Sequence, residues 1–289
     1  MLTSQHLFLR SSISEALEKP RHNAGGGLTT ISVNGIELYY QESGAGYPLL
    51  LLHGLGSCGD DWWLQTPTFA SQFRVMLPNM RGHILSTPLR APTTIAALAS
   101  DIAGLLEALN IPQAHVLGLS LGGAVAQMLA IDFPEKVKRL ILVNTFAHLR
   151  PTSLREVYIL GRRVVAMRFL PPGITAQVVA RDLFPKPEQA QWRAEVLKRG
   201  STNDVTSYRY LVDAIRRFDA RRRLERIRAP TLVITGDRDA VVPRSCQQQL
   251  VRSIPQTQWR IVRDSGHATP IDQPEEFNRL VLGFLQDER

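Results

Sequence analysis

Polar and apolar residues alternate on both sides of Asn34-Gly35, over Leu28–Val33 and again over Ile36–Gln41. An Asn-Gly pair tolerates the positive φ angles of a tight two-residue turn, so this segment is predicted to be a β-hairpin. Beyond it the alternation gives way to short, largely apolar runs near 48–52, 73–77, 113–118 and 137–143, separated by longer periodic stretches near 94–109 and 121–133. Short runs bounded by turn residues read as buried strands, and the periodic stretches read as helices. Strand and helix taking turns at this spacing build βαβ units around a parallel sheet.

The rhythm breaks after Asn144. The next apolar run, Thr231–Thr235, starts more than 80 residues later, whereas a crossover between parallel strands needs roughly a dozen residues. The excess is helical in pattern and punctuated by Pro151, Pro171-Pro172-Gly173, Pro185 and Pro187. It is expected to be an insertion over 148–228 within one core made of 28–147 and 229–289. Inside it Val157, Leu160, Val164 and Met167 recur at helical spacing and read as a packing face. The core returns with a strand at 231–235, a helix from Pro243 to Val251, a strand at 258–262 and a last helix from Pro274 to Leu285.

At 289 residues and 44% hydrophobic, the chain is long enough to bury one large core with an insertion. No apolar run approaches the roughly 20 residues of a membrane-spanning helix. Residues 1–27 carry Arg10, Arg21, Glu15 and Glu18 around a short apolar patch and end in Gly25-Gly26-Gly27. That is not a secretory signal pattern, and a flexible leader is expected. Cys58 and Cys246 make no disulfide framework, so a reducing, cytoplasmic setting is expected. Metal-site spacings such as C-x-x-C or H-E-x-x-H are missing, as are the glycine patterns of nucleotide sites, so neither a metal nor a nucleotide cofactor is implied.

Charge changes the picture in one place. Of the net +8, Leu149–Arg228 holds 18 Lys and Arg against 8 Asp and Glu, a local +10 that leaves −2 for the rest. Its arginines have no interleaved stacking aromatics, so the block reads as a solvated basic face and not as a nucleic-acid surface. The densest run, Arg216-Arg217 and Arg221-Arg222-Arg223, is expected on the last helix before the core resumes.

One short string carries chemistry. Gly118-Leu119-Ser120-Leu121-Gly122 reads G-x-S-x-G, with a strand pattern over Gln113–Leu117 before it and a helix pattern from Gly123 to Phe133 after it. A strand that turns into a helix through a glycine-flanked serine lifts the serine Oγ above the sheet, and the glycines keep side chains out of the corner. A hydroxyl is a poor nucleophile unless a base takes its proton and a carboxylate orients that base. On such sheets the acid and then the base follow the serine, on loops at the C-terminal ends of strands. The chain offers both. Gly236-Asp237-Arg238-Asp239 through Pro243 follows one strand candidate, and Asp264-Ser265-Gly266-His267 follows the last. Asp237 and Asp239 both qualify as the acid.

Five motifs in order carry a resemblance: His53-Gly54-Leu55-Gly56 after a strand, Arg81-Gly82-His83, the Gly118–Gly123 corner, Gly236-x-x-Asp239-x-x-x-Pro243, and Gly266-His267. Over roughly residues 30–285 the chain resembles the α/β-hydrolase family in its capped serine esterase and lactonase form. The resemblance implies an α/β fold with a mostly parallel eight-stranded sheet, helices on both faces and the insertion as a helical cap. It implies Ser120 as nucleophile, His267 as base and then acid, and, by spacing to Pro243, Asp239 as the orienting carboxylate. Asp237 is left to cap the turn, and Asp264 competes from beside the histidine. The oxyanion would be held by the backbone amides of Leu121, at a helix N-terminus, and of Leu55, in the loop after the third strand. His53 then anchors that loop, Cys58 is a small half-buried residue, and Trp62 and Trp63 are core or pocket wall.

One segment departs from the family pattern. Asn79 stands where an acid is usual, and Ile84 where Arg-Gly-His-Gly has its second glycine. A β-branched residue suits positive φ poorly, so the loop is expected to take another path.

A serine at the corner, where a carboxylate would be required, is at odds with haloalkane dehalogenase and epoxide hydrolase chemistry. The expected function is hydrolysis of carboxylic esters of small to medium acyl chains through an acyl-enzyme, with a small-molecule ester or lactone as substrate. The same residues would serve an enol-lactone hydrolase or a hydrolase of the carbon–carbon bond in a diketone, and the basic insertion would suit an anionic ring substrate. A ligand receptor or scaffold on the same fold is the alternative from another class.

Overall fold

Asn34 at φ 50° and Gly35 at φ 75° make the tight turn that joins β1 (Thr30–Val33) to β2 (Ile36–Ser43), as the Asn-Gly signal requires. The computed structural model describes residues 29–151, 154–170, 172–200 and 204–287. The leader expected over 1–27 lies outside the described residues. Six further strands follow: β3 (Tyr47–Leu52), β4 (Phe73–Pro78), β5 (Ala114–Leu119), β6 (Val137–Val143), β7 (Thr231–Gly236) and β8 (Thr257–Val262). They form one eight-stranded sheet in the order β1-β2-β4-β3-β5-β6-β7-β8. β1 pairs antiparallel with β2 and β2 antiparallel with β4, and every further pair along the order to β8 is parallel.

The solid apolar runs are buried on both faces because successive side chains point to opposite sides. Leu50, Leu52, Val116, Leu140, Leu142 and Val233 join one core layer. Leu49, Leu51, Leu117, Ile141, Val143 and Leu232 join the other.

Helices cover each layer. In chain order they are α1 (Thr66–Ala70), α2 (Ile95–Ala108), α3 (Leu121–Asp132), α4 (Leu154–Phe169), α5 (Pro172–Leu183), α6 (Ala190–Gly200), α7 (Val205–Arg217), α8 (Arg244–Ser253), α9 (Thr269–Asp272) and α10 (Pro274–Gln286). Phe69 of α1 and Phe277, Val281 and Phe284 of α10 pack on one face, with α2, α3 and α8 on the other. Each such side chain removed from water stabilises the fold by about 1.5–3 kcal/mol. Among the described residues no helix is long and apolar enough to cross a membrane.

Between β6 and β7 lie α4, α5, α6 and α7, so the break in rhythm after Asn144 is a helical segment. Its last helix returns to the core: Asp204 caps α7 by accepting from Ser207 N (2.7 Å), and Ser207 Oγ accepts from Leu89 N (2.8 Å). Leu211 and Ala214 of α7 enter the core layer. Two expectations need correction. α7 ends at Arg217, and Arg221–Arg223 lie on a separate 3-10 turn, Arg221–Arg226. Val157, read as packing, is 51% exposed, while the side chains of Leu160, Val164 and Met167 lie outside the described residues.

Candidate active site

The strand order reverses its direction of growth between β3 and β5, and in open α/β sheets the crevice at such a point receives ligands. Leu52 at the end of β3 pairs with Gly118 near the end of β5, so His53-Gly54-Leu55-Gly56 and Ser120 leave the sheet side by side. A Cβ placed on Gly54 would lie 3.7 Å from Ser120 Cβ.

Ser120 links β5 to α3 at φ 54°, ψ −114°. A non-glycine residue there carries backbone strain on the order of 1–3 kcal/mol. Its surroundings impose it: Ser120 N donates to Val143 O (3.0 Å), and Ser120 O accepts from Ala124 N (3.1 Å) and Thr145 Oγ1 (2.6 Å). The corner is closed to side chains. A Cβ on Gly118 would stand 2.3 Å from Gly122 O, and one on Gly122 would stand 2.2 Å from Leu52 O. The serine is left half-buried at the C-terminal edge of the sheet, and Leu121 N becomes the first amide of α3, one of the donors a helix leaves unpaired.

Asp239 and His267 meet across the next two strand ends. His267 Nδ1 lies 3.1 Å from Asp239 Oδ1 and 3.0 Å from Oδ2. A carboxylate only accepts, so it is Nδ1–H that donates here, leaving Nε2 as the ring nitrogen away from Asp239. Both side chains are nearly dry, at 6% and 2% exposed. Asp239 Oδ1 also accepts from Val241 N (2.7 Å) and Val242 N (3.1 Å), which fix the carboxylate on its loop. Asp237, the other loop aspartate, instead accepts from Ser265 N (3.2 Å) and ties the two loops together. Asp264 is turned away, in ion pairs with Lys186 (2.8 Å) and Arg238 (2.5 Å). Among the described residues the Ser120 hydroxyl makes no hydrogen bond of its own.

Residues that sequence reasoning passed over hold these loops. Asn144, fully buried at φ 44°, ends β6. Its Oδ1 accepts from Gly236 N (2.8 Å), and its Nδ2 donates to His267 O (2.8 Å), Thr269 Oγ1 (2.8 Å) and Gly266 O (3.2 Å). One amide therefore clamps the loop that bears the aspartate to the loop that bears the histidine. The available signal was an asparagine directly after an apolar strand, a residue type that tolerates the left-handed region. Asp272 of α9 accepts from Gly266 N (2.7 Å) on one oxygen and from Gln189 Nε2 (2.5 Å), in the helical segment, on the other. Burial raises its carboxyl to about 6, against the pull of its hydrogen bonds and of Lys186. Nearby, Trp63 faces Trp192 at 5.8 Å between centroids, and Phe184 and Ala268 join the same cluster. The helical segment is thus seated on the residue next to His267. Trp62 belongs to the core, against Phe277.

The remaining motif residues have structural partners. His53 donates from Nδ1 to Gly54 O (2.8 Å) and accepts Met80 N–H at Nε2 (3.1 Å), so both nitrogens are occupied by the loop it anchors. Arg81 forms a fork on buried Asp101 at 2.7 and 2.6 Å. His83 donates to Met80 O (3.1 Å), and burial, with His53 beside it, lowers its pKa to about 3.

Asn79 accepts from Gly59 N (2.7 Å) and donates to Ile84 O (2.8 Å), a pair of roles that a carboxylate at this position could not combine. The positive φ angles of this loop fall on Gly82 (82°) and Leu85 (67°) and spare Ile84. Cys58, expected to be half-buried, is buried like Cys246, and neither is in a disulfide. A cleft of about 660 Å³ lined by Arg150, Arg221, Arg252 and Cys246 lies beside α8 and includes neither Ser120 nor His267.

A family model of the alpha/beta hydrolase fold matches residues 47–274. The chain belongs to the α/β-hydrolase family. A Caulobacter sp. (strain K31) protein named "Putative carbamate hydrolase RutD" is 34% identical to this hydrolase over 250 residues, 83% of this chain and 91% of that one. Among solved structures, a hydrolase from Pseudomonas aeruginosa PA01 is 31% identical with a TM-score of 0.82, covering 91% of this chain and 100% of its own. The enol-lactonase from Burkholderia xenovorans LB400 is 27% identical with a TM-score of 0.81, covering 90% of this chain and 100% of its own.

Proposed function

We propose that this hydrolase is a serine enzyme that cleaves carboxylic esters of small to medium acyl chains through an acyl-enzyme, with Ser120, His267 and Asp239 as its triad. The observation that carries this reading is the buried Nδ1–H···carboxylate pair of His267 and Asp239, at the same sheet edge as the strained Ser120 corner. With Nδ1 protonated and held, Nε2 is the basic site. It takes the Ser120 Oγ proton as Oγ bonds to the substrate carbonyl carbon.

Negative charge then gathers on the carbonyl oxygen. The backbone N–H groups of Leu121 and Leu55 receive it, each contributing about 3 kcal/mol in the transition state, and Leu121 adds the dipole of α3. Collapse of the tetrahedral intermediate breaks the bond to the alcohol, which leaves with the proton from His267. Water repeats the sequence on the acyl-enzyme and restores Ser120. A resting site without a serine–histidine hydrogen bond is compatible with this, because such bonds often tighten only when substrate binds. In this reading residues 148–228 are the cap over a core of 28–147 and 229–289.

Carbamate cleavage is the second reading, favoured by the Caulobacter relative. Lactone opening is favoured by the enol-lactonase likeness. All three begin with the same attack on a carbonyl carbon. The test is a matched panel on wild type and Ser120→Ala: p-nitrophenyl esters of graded length, an enol-lactone, a vinylogous diketone and a carbamate. One class should turn over, and the variant should lose on the order of 10^4- to 10^6-fold in kcat. Equal activity of the two proteins would remove Ser120 from the chemistry. Turnover of the carbamate alone would replace the ester reading with the second.

A further inference from the structure

A line of hydrogen bonds runs from β8 through β7 and α8 into the candidate carboxylate. Trp259 Nε1 donates to Thr235 Oγ1 (2.9 Å), Thr235 Oγ1 donates to Gln247 Oε1 (2.8 Å), and Gln247 Nε2 donates to Asp239 Oδ2 (3.4 Å). Asp239 Oδ2 in turn accepts from His267 Nδ1 (3.0 Å). Thr235 and Gln247 are fully buried, out of reach of bulk solvent.

The direction of this line is fixed by chemistry. An indole N–H can only donate. Thr235 Oγ1 therefore accepts from Trp259, and its own proton must go to Gln247. Only the Gln247 oxygen can receive it, which turns the amide nitrogen toward Asp239. The reverse amide orientation would set the Gln247 oxygen against a carboxylate oxygen and leave the threonine proton facing an NH2 group. Both are costly where the surroundings are dry. Gln247 Nε2 also reaches Val242 O at 3.5 Å, which favours the same orientation. Successive bonds aligned this way polarise one another.

We propose that Gln247 is a positioning residue for Asp239, and that Trp259, acting through Thr235, dictates which end of its amide faces the carboxylate. The inference rests on the reading of Ser120, His267 and Asp239 given above. Gln247 and the Val241 and Val242 amides hold the carboxylate in the plane that receives His267 Nδ1–H. Its charge is shared among these donors. With one donor fewer, the carboxylate keeps more negative charge for the imidazolium and also gains freedom to turn.

Two effects follow for Gln247→Leu. The kcat should fall about ten-fold, the lower end for a hydrogen bond to a charged group, with KM little changed. The acid limb of the kcat/KM profile should also move to higher pH, because His267 holds its proton more tightly. Other ionisable groups around the pair are Asp237 on the β7 loop, Asp272 behind Gly266, Cys246 and Arg244 on α8, with Arg244 stacked on Trp259 at 5.5 Å; none is altered by this change.

The experiment measures kcat, KM and the pH profile for wild type, Gln247→Leu, Thr235→Val and Thr235→Ser, with the thermal midpoint of each as the check on folding. Thr235→Val should reproduce part of the loss, since the amide is then free to turn. Thr235→Ser keeps the hydroxyl and should restore wild-type behaviour. A folded Gln247→Leu with unchanged kcat and pH profile would overturn the proposal. A wild-type Thr235→Val beside an impaired Gln247→Leu would overturn the role of Trp259. If Gln247→Leu does not fold, the threonine pair decides alone: equal activity of valine and serine variants overturns it. Ser120→Ala separates the two levels, for a fully active Ser120→Ala sinks the reading of the site, whereas an inactive one with normal Gln247→Leu sinks only this inference.

Discussion

Ser120 and the Asp239–His267 pair are held at one sheet edge by opposite means. The serine depends on backbone and on empty space: Gly118 and Gly122 stand so close to neighbouring main chain that a single methyl would overlap it. The pair depends on side chains delivered from elsewhere, namely Asn144 at the end of β6, Gln247 on α8 and Asp272 on α9. A steric constraint against main chain has no soft direction, because the atoms it meets belong to β3 and α3. A network of hydrogen bonds can lose one member and keep the others. Damage to the corner should therefore appear as lost folding, and damage to the network as graded loss of function in a folded protein.

The strongest way to break the comparison is at the corner. Gly122→Ala places a Cβ 2.2 Å from Leu52 O, 2.6 Å from Leu52 C and 2.7 Å from His53 O. None of these is the end of a flexible side chain, so relief requires β3 to move away from α3. A loss of about 4 kcal/mol is expected in urea unfolding, beyond the ordinary range for one substitution. A midpoint within experimental error of wild type would mean that the corner has more room than these distances allow.

The network should give a smaller and different answer. Asn144→Ala leaves the buried Gly236 N–H without its acceptor and frees the carbonyls of Gly266 and His267 from their shared donor. We expect a loss of about 3 kcal/mol in stability, the usual range for a buried group left unpaired. In the protein that remains folded, kcat should fall more than KM rises, since the clamp sets where His267 stands and touches no substrate. A rise in KM alone would place Asn144 among the substrate contacts instead.

The same contrast decides what could be read from the chain alone. The corner is five consecutive residues, and its glycines answer to a local crowding rule, so the strand-to-helix turn at Ser120 was legible. Strand positions were legible too: the run expected at 137–143 is β6 to the residue, because short, largely apolar runs between turn residues have few other uses. The choice between Asp237 and Asp239 was open from the residues alone, since both sit on one loop; the resemblance favoured Asp239 by its spacing to Pro243, and it is Asp239 that meets His267 while Asp237 takes Ser265 N. Gln247 is one of three consecutive glutamines in a helix; nothing local marks the one that turns inward. Ile84 was rightly read as unsuited to positive φ, and the loop meets the requirement one residue later, at Leu85.

Titration offers the gentlest test, because the two sides respond to acid with opposite sign. His115 lies near the start of β5, the strand that leads into Ser120, and burial followed by Arg139 and Lys138 lowers its pKa to about 4. His83, near the loop anchored by His53, falls to about 3. A histidine kept neutral in the fold but free to protonate near 6.5 when unfolded stabilises the protein above 6.5, and this is lost as pH drops toward the folded pKa. Asp272, on the histidine side of the site, is raised to about 6. It holds its proton in the fold between its ordinary range and about 6, so its contribution is present in acid and is lost as pH rises through that window. Each group supplies at most about 1.4 kcal/mol per pH unit inside its window. Two histidines outweigh one aspartate, so stability should decline from pH 6.5 toward 4. His115→Phe, which keeps a ring between Tyr47 and Phe73, should flatten that decline. Asp272→Asn should steepen it, because the opposing proton is gone. Urea midpoints at half-unit steps of pH for the three proteins would show the divergence, and parallel curves would mean that neither side of the site titrates as its burial requires.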